Sequence, residues 1–436
     1  MLMPGHYHLV GAAGVGMSAL AQALVADGHT VTGSDRYLDS GDALPVIERL
    51  RRAGVGFCAQ DGSAITRDTR GVVLSTAIEA DNPDVLAAER LGVPLLHRSV
   101  VLAKLVEGRR CIAVTGTCGK STVTGMIGWV LEVAGLDPLV VNGAPVLNWA
   151  DDARVGNYRA GQSDLCVIEA DESDRSLLNY TPDWGVITNA SADHFGIDET
   201  LALFDTFAAK VKVGLVSTLH EPRLLDEARL TAEGGGVRVE FGELDLRVPL
   251  IGLHNAENAL LAAVLCARLG VEPVTIAEAF ASFRGIGRRL ERIGRLEEVT
   301  VVDDYAHNPA KIRAAWQSLA AHGRRVIGIW RPHGFGPLRQ MLPDLVETFA
   351  SICRPEDRLH ILPVYDVGGT ADRSVDAASL ARPLHERGVA VRVVTDERAL
   401  PAEIADEAEA GDIVVTMGAR DPHLGDLARA ILRELA

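Results

Sequence analysis

The segment AVTGTCGKST gathers phosphate-binding groups onto one turn. Ala113–Thr115 read as the end of a buried strand and Lys120–Leu131 as the start of a helix, so Gly116, Thr117, Cys118 and Gly119 must turn between them. Such a turn points backbone N–H groups and the positive end of a helix dipole into one concavity, and Lys120 adds a mobile cation. Phosphate is the natural guest, with the hydroxyl of Ser121 or Thr122 free to meet a divalent ion. The spacing is tighter than the common GxxxxGK[ST], because Val114 stands where the first glycine would be. Downstream, Glu169 ends an apolar run and opens an acidic cluster with Asp171, Glu172 and Asp174. Crowded carboxylates suit a bound cation, although a solvated loop has the same composition. Near the start, Gly11, Gly14 and Gly16 would let backbone approach a pyrophosphate at a helix start. Asp35 closes the following strand, where it serves either a ribose or the loop itself, and Arg98 serves either a phosphate or a surface ion pair. His194, His307 and His333 each follow a strand-like run, where a ligand contact and a helix cap are both open.

These groups need a scaffold of alternating strands and helices, and the sequence supplies it three times. Short β-branched runs alternate with longer amphipathic stretches, the pattern of helices covering mostly parallel sheets. The first block holds HYHLVGA, a helix from Met17 to Asp27, TVTGSD and GVVLST, and closes near Glu107. The second runs from CIAVTG through DLCVIEAD and WGVITN to an apolar helix from Asn255 to Leu269 and the RRLERIG segment. The third starts at VTVVDDYAH and ends in a helix from about Asp421 to Ala436. The expected architecture is α/β in three domains: a Rossmann-like unit over 1–107, a central nucleotide-sized unit with the phosphate loop over 108–294, and a second Rossmann-like unit over 295–436, with hinges near 108 and 294.

Composition narrows the classes. Among 436 residues, 43 basic against 59 acidic side chains give a net charge of −16, which repels nucleic acid, so any phosphorylated ligand needs a local site. No run is long and apolar enough for a membrane span and no leader-like segment opens the chain, so a cytoplasmic location is expected. Six cysteines without CxxC spacing (Cys58, Cys111, Cys118, Cys166, Cys266 and Cys353) read as reduced thiols.

The compact loop Gly116-Thr117-Cys118-Gly119-Lys120-Ser121 resembles the ATP loop of the Mur ligases and their folylpolyglutamate synthase relatives. VIEADESD, ITNASADHFGID, GLHNAENALLAA, the Arg288-Arg289 and Glu291 segment, DDYAHNP and RPHGFGPLR resemble further segments of that family, in its order. The resemblance implies an ATP- and Mg²⁺-dependent ligase that activates a carboxylate as an acyl phosphate and passes it to an amine. It implies Glu169 and His194 as metal ligands with Ser121, His254 and Asn258 at the adenine, Arg289 and Asp304 at the nucleotide, and His307 and His333 at the amine.

HLVGAAGVGMSALAQAL, VTGSD, STAIEADNPDVLAA and LLHRSVVLAKL resemble the UDP-sugar domain of the alanine-adding and murein-peptide branches. That implies UDP-N-acetylmuramic acid at Gly11, Gly14, Gly16, Asp35, Thr76 and Arg98, and L-alanine as the amine, with a peptide amine as the alternative. Asn308 and Gly334 depart from the alanine-adding pattern in the third domain, and the stretch between Val216 and Ile251 is short for the family. Lys210, in FDTFAAKVK, lies where several relatives carry a carbamylated metal-bridging lysine, Lys212 being a neighbouring candidate; an ordinary solvated lysine is the favoured reading. Readings of another class are an NAD(P)-dependent dehydrogenase, from GAAGVG alone, and a nucleotide-binding regulator without turnover.

Overall fold

The computed structural model describes residues 2–41, 44–192, 195–366 and 372–436. The central β-branched runs of the sequence become strands buried on both faces, as expected where helices cover a parallel sheet. The first sheet is wholly parallel, in the order Gly56–Cys58, Thr30–Ser34, His6–Val10, Thr69–Leu74, Leu95–His97. Chain order reverses at His6–Val10, and the glycine turn leaves from its carboxyl end into the helix Val15–Ala26. That is where open α/β sheets form their ligand crevice. Register pairs Val10 with Ser34, which brings Asp35 beside the turn.

The second sheet repeats the logic, in the order Gly214–Ser217, Trp184–Ile187, Arg110–Thr115, Leu165–Glu169, Leu139–Val141, Tyr158–Arg159, with only the last pairing antiparallel. Arg110–Thr115 lies at its reversal point and carries the phosphate turn, and Val114 pairs with Glu169 on the neighbouring strand. The helix Lys120–Val133 has no charged residue after Lys120 until Glu132 and is buried along most of its length, packed against the helix His254–Arg268. A meander of Arg229–Glu233, Gly236–Phe241 and Leu244–Val248 follows. Its apolar residues alternate, with Val237, Val239, Leu244, Leu246 and Val248 buried.

The last sheet runs Glu291–Leu296, Val299–Asp304, Ile413–Met417, Val326–Trp330, Arg358–Ile361, Val391–Val393, parallel except for the first strand. Glu291–Leu296 hairpins onto Val299–Asp304, so the boundary expected at 294 cuts a hairpin. The chain forms two compact units: Met1–Pro249 with His254–Ile286, and Leu250–Leu253 with Gly287–Ala436. The first two sheets fall in the first of these units, and the main span of the second runs from Gly287. Helices fall within a few residues of their sequence positions, Val15–Ala26 for Met17 to Asp27 and Leu424–Glu434 for Asp421 to Ala436.

A buried polar network pins the first sheet. The carboxylate of Asp84 accepts from the Ser34 hydroxyl (2.5 Å) and the Gly62 amide (2.8 Å), and lies 3.3 Å from Nε2 of the fully buried His8. Burial pushes the carboxyl pKa up, but His8, Ser34 and Gly62 together outweigh it and hold Asp84 below its ordinary value. Asp84→Asn should cost about 3 kcal/mol in urea unfolding, because it strips charge from a satisfied buried network. A depressed carboxyl stabilises above its unfolded pKa, so the gap between wild type and variant should persist at neutral pH and shrink only below about pH 4.

Candidate functional site

The turn after Arg110–Thr115 is shaped by what its glycines exclude. Gly116 has φ +133° and a Cβ there would lie 2.0 Å from Thr188 Oγ1; Gly119 has φ +85° and a Cβ would lie 2.4 Å from Asn258 Oδ1. Both positions demand glycine for conformation and for space. Asn189, at the end of the neighbouring strand, clamps the turn from outside. Its Oδ1 accepts from Thr117 Oγ1 (2.7 Å) and from the Cys118 amide (3.0 Å), and its Nδ2 donates to the Cys118 carbonyl (3.0 Å). The turn is thus held open with Cys118 exposed and Ser121 and Thr122 buried at the helix start. No residue type singled out Asn189 in the sequence; only its place in ITNASADH did.

Lys120 folds back over this turn. Its ammonium donates to the Gly116 carbonyl (2.9 Å) and pairs with Glu172 Oε2 (2.6 Å). Burial alone would favour the neutral amine, but Glu172, Glu169 and Asp171 outweigh it and raise the pKa, so Lys120 stays charged. Burial likewise pushes the Glu172 carboxyl up, against the pull of Lys120.

The acidic cluster is therefore no solvated loop. Glu169 Oε2 accepts from the Gly143 amide (2.8 Å), and a Cβ on Gly143 would lie 2.5 Å from that same oxygen. Asp171 Oδ2 accepts from Arg98 (2.8 Å), which also reaches Asp174 (3.3 Å). Burial works against the Arg98 charge, and the two aspartates outweigh it and raise its pKa. Arg98 thus spends its Nη2 on an internal ion pair.

Arg98, Gly11, Gly14, Gly16 and Asp35 nonetheless line one cleft of about 460 Å³, whose far wall is Asn142, Gly143, Glu169 and Asp171. Asp35 spends its carboxylate on the glycine turn, accepting from the Ala13 amide (2.9 Å) and the Tyr37 amide (3.1 Å). Its place matches the loop-holding alternative. Thr76 is exposed and outside the cleft lining; its neighbour Ser75 is the one that faces in.

Of the remaining sequence candidates, Asn258 is buried against Gly119, and His254 is exposed at the first residue of its helix. His194 lies outside the described residues. The Lys210 ammonium donates to the Leu178 carbonyl, and Lys212 is exposed with Asp183 at 3.8 Å. In the second compact unit, Asp304 is taken up by the amides of Leu290 and Ala306 (2.7 Å each), so it shapes backbone. Arg288 pairs with Asp303 (3.2 Å), while Arg289 is exposed with its guanidinium over the Tyr305 ring. His307 and His333 meet edge to face with ring centres 4.9 Å apart. Burial pushes His307 down to about 4, helped by Lys311, and His333 down to about 4, helped by Arg420. Both rings are neutral at neutral pH, and His307 Nδ1 donates to the Tyr305 carbonyl (2.9 Å), which leaves Nε2 as an acceptor.

Comparison with known proteins agrees in domain order. Sequence models match as the Mur ligase family catalytic domain over 6–110, the Mur ligase middle domain over 114–225 and the Mur ligase glutamate ligase domain over 288–420. The UDP-N-acetylmuramate–L-alanine ligase of Thermosynechococcus vestitus is 33% identical over 95% of this chain and 92% of its own. That of Paenarthrobacter aurescens is 36% identical over 96% and 94%. Among solved structures, the UDP-N-acetylmuramate-alanine ligase of Thermotoga maritima shares the fold over 99% of each chain (TM-score 0.79, 24% identity), and a murein peptide ligase of Psychrobacter arcticus over 99% and 98% (TM-score 0.64, 22% identity).

The Asn189 clamp generates a direct test. Asn189→Ala removes three hydrogen bonds from the turn and none from the core, so ATP should bind roughly tenfold more weakly, about 1.4 kcal/mol, with the thermal midpoint shifted by no more than a few degrees. Calorimetric titration with a non-hydrolysable ATP analogue measures the first and a melting curve the second.

Proposed function

Since the chain belongs to the Mur ligase family, we propose that it joins the carboxylate of UDP-N-acetylmuramic acid to the amine of L-alanine. It is an ATP-dependent, ADP-forming ligase that makes an amide bond. The observation that carries the substrate assignment is the shared wall: Glu169 and Asp171 line the cleft of Gly11, Gly14 and Gly16, and the same acids hold Lys120 charged at the phosphate turn. A carboxylate presented from that cleft therefore meets the group that carries phosphate.

The residues present fit ATP and Mg²⁺. Gly116–Thr122 offer a glycine turn, a helix start and a charged lysine to the phosphates, and Asn258 packs beside the turn, where a base would lie. Glu169 and the hydroxyls of Ser121 and Thr122 are hard oxygen donors. Among the described residues no three His, Cys, Asp or Glu side chains form a metal cage, and Mg²⁺ characteristically takes one or two carboxylates beside substrate phosphates and water. Mg²⁺ there would lower the repulsion between two anionic substrates. Lys120 adds a fixed positive charge where negative charge gathers on the transferred group, and again on the tetrahedral adduct when the amine attacks. The Gly143 amide orients Glu169 for its share of that work.

His307 and His333 serve the amine. Neutral imidazoles accept hydrogen bonds, and the free Nε2 of His307 suits an N–H of the incoming nucleophile. A peptide amine is the second reading, favoured by Gly334, which at φ +137° places no side chain next to His333. Asn308 caps the helix Pro309–Ala320 by accepting from the Lys311 amide (2.9 Å). The dehydrogenase reading of the glycine turn falls with family membership. No helix is long and apolar enough to cross a membrane among the described residues.

Phosphate release from ATP with Mg²⁺ and UDP-N-acetylmuramic acid should require L-alanine, and a preference for cell-wall peptides would move the assignment to the second reading. Silence with every amine would leave a regulator without turnover. Lys120→Ala should reduce turnover by roughly a thousandfold or more with the fold intact, since it deletes the charge that faces the transferred phosphate. Glu169→Ala should raise the Mg²⁺ concentration needed for half-maximal rate by about tenfold or more, and a titration identical to wild type would remove Glu169 from the metal.

A further inference from the structure

Glu172 lies outside the cleft lining and its side chain is only 3% exposed. Yet it makes the shortest contact of the Lys120 ammonium, at 2.6 Å, from a helical-side loop after the strand Leu165–Glu169. An ammonium has three N–H donors. The ammonium donates to the Gly116 carbonyl at 2.9 Å and forms an ion pair with Glu172 Oε2 at 2.6 Å, an oxygen that is buried without a hydrogen bond of good geometry. Gly116 and Glu172 lie on different elements, so the two contacts together fix the position of Nζ. A lysine tethered only to its own turn would keep its rotamer freedom, and phosphoryl transfer gains from donors that are already in place when charge develops.

We infer that Glu172 is a positioning residue for phosphoryl transfer, which acts through Lys120 by holding its ammonium in place beside the phosphate turn. This rests on the assignment of the glycine turn to ATP. Asp171 and Glu169, which also face Lys120 electrostatically, cannot replace Glu172: Asp171 is tied to Arg98, and Glu169 to the Gly143 amide. The inference therefore separates three neighbouring acids that look equivalent in EADESD. Glu169 faces the cleft beside the metal position, Asp171 joins Arg98 to the cluster, and Glu172 alone is pointed inward at the lysine.

Glu172→Gln keeps the shape and removes the charge. The expected result is a kcat at least about tenfold lower in single-turnover ADP formation, with the KM for ATP within about threefold of wild type, because the lost interaction orders the lysine for the transition state. Glu172→Asp keeps the charge on a shorter arm and should recover part of the kcat. A Glu172→Gln enzyme within threefold of wild type in kcat would overturn the inference, as would a loss confined to KM. A fall in melting temperature that the Asp variant shares, without any recovery of kcat, would assign Glu172 to structure and overturn it too. Lys120→Ala, run in parallel, keeps the two readings apart. If Lys120→Ala is inactive while Glu172→Gln is normal, only the positioning role fails; if Lys120→Ala retains full turnover, the ATP assignment itself fails.

Discussion

A buried ammonium governs the centre of the larger compact unit. Taking Lys120 out of water would neutralise it unless anions lay within a few ångströms, and Glu172, Glu169 and Asp171 provide them. The acids carry the reciprocal problem, since carboxylates this crowded would repel one another without Lys120 and Arg98 between them. Neither set is stable alone in this setting. The sequence must therefore bring a strand-to-helix turn and a strand-to-loop acid cluster side by side, and the pairing of Arg110–Thr115 with Leu165–Glu169 at the reversal point of the sheet does so.

Sterics then decide how close the parts come. At Gly116, Gly119 and Gly143 an added Cβ would strike Thr188, Asn258 and Glu169, each a polar group of the site itself. Close approach of this kind lets backbone amides point at a ligand and lets a carboxylate take its hydrogen bond from a neighbouring strand end. The same glycines leave the turn weakly determined by its own backbone, because they have the most conformational freedom to lose. Asn189 compensates from an adjacent strand, tying both sides of Cys118. Rigidity here comes from a neighbour and not from the turn.

Much of this was legible in the sequence because periodicity and local order are local properties. Buried parallel strands read as β-branched runs, GK[ST] after such a run read as a phosphate turn, and the glycines near residue 11 read as a second crevice. What escaped depended on partners far along the chain. Glu291–Leu296 carries mixed charges and looks like a linker until Val299–Asp304 pairs with it, and the meander over 229–248 pairs only with itself and has no long apolar run. Arg98 read equally as a phosphate ligand and as a surface ion pair, because nothing local announces Asp171 and Asp174, more than seventy residues away. Asp304 looked like a ligand group because sequence cannot show that the backbone amides of Leu290 and Ala306 already use both its oxygens. Glu172 was merely one member of an acidic run, until burial and a single direction set it apart.

The two compact units handle charge in opposite ways, and that follows from what each must bind. The larger unit concentrates fixed charges of both signs, as needed where anions must be brought together. The smaller unit instead keeps its two candidate histidines uncharged. Burial and the nearby cations Lys311 and Arg420 hold His307 and His333 near 4, far below the range in which an imidazole would gain a proton in neutral solution. A protonated imidazole would repel an ammonium and could accept nothing from an amine, whereas a neutral ring with Nδ1 committed to the Tyr305 carbonyl presents a lone pair in one direction. Asp303, lifted to about 6 by burial despite Arg288, supports the same economy, since its charge is spent against Arg288 and the Thr416 hydroxyl and not exposed to a ligand. Burial and these cations together keep the two rings neutral, and on the amine-binding role proposed for them a neutral ring is the form that can accept an N–H.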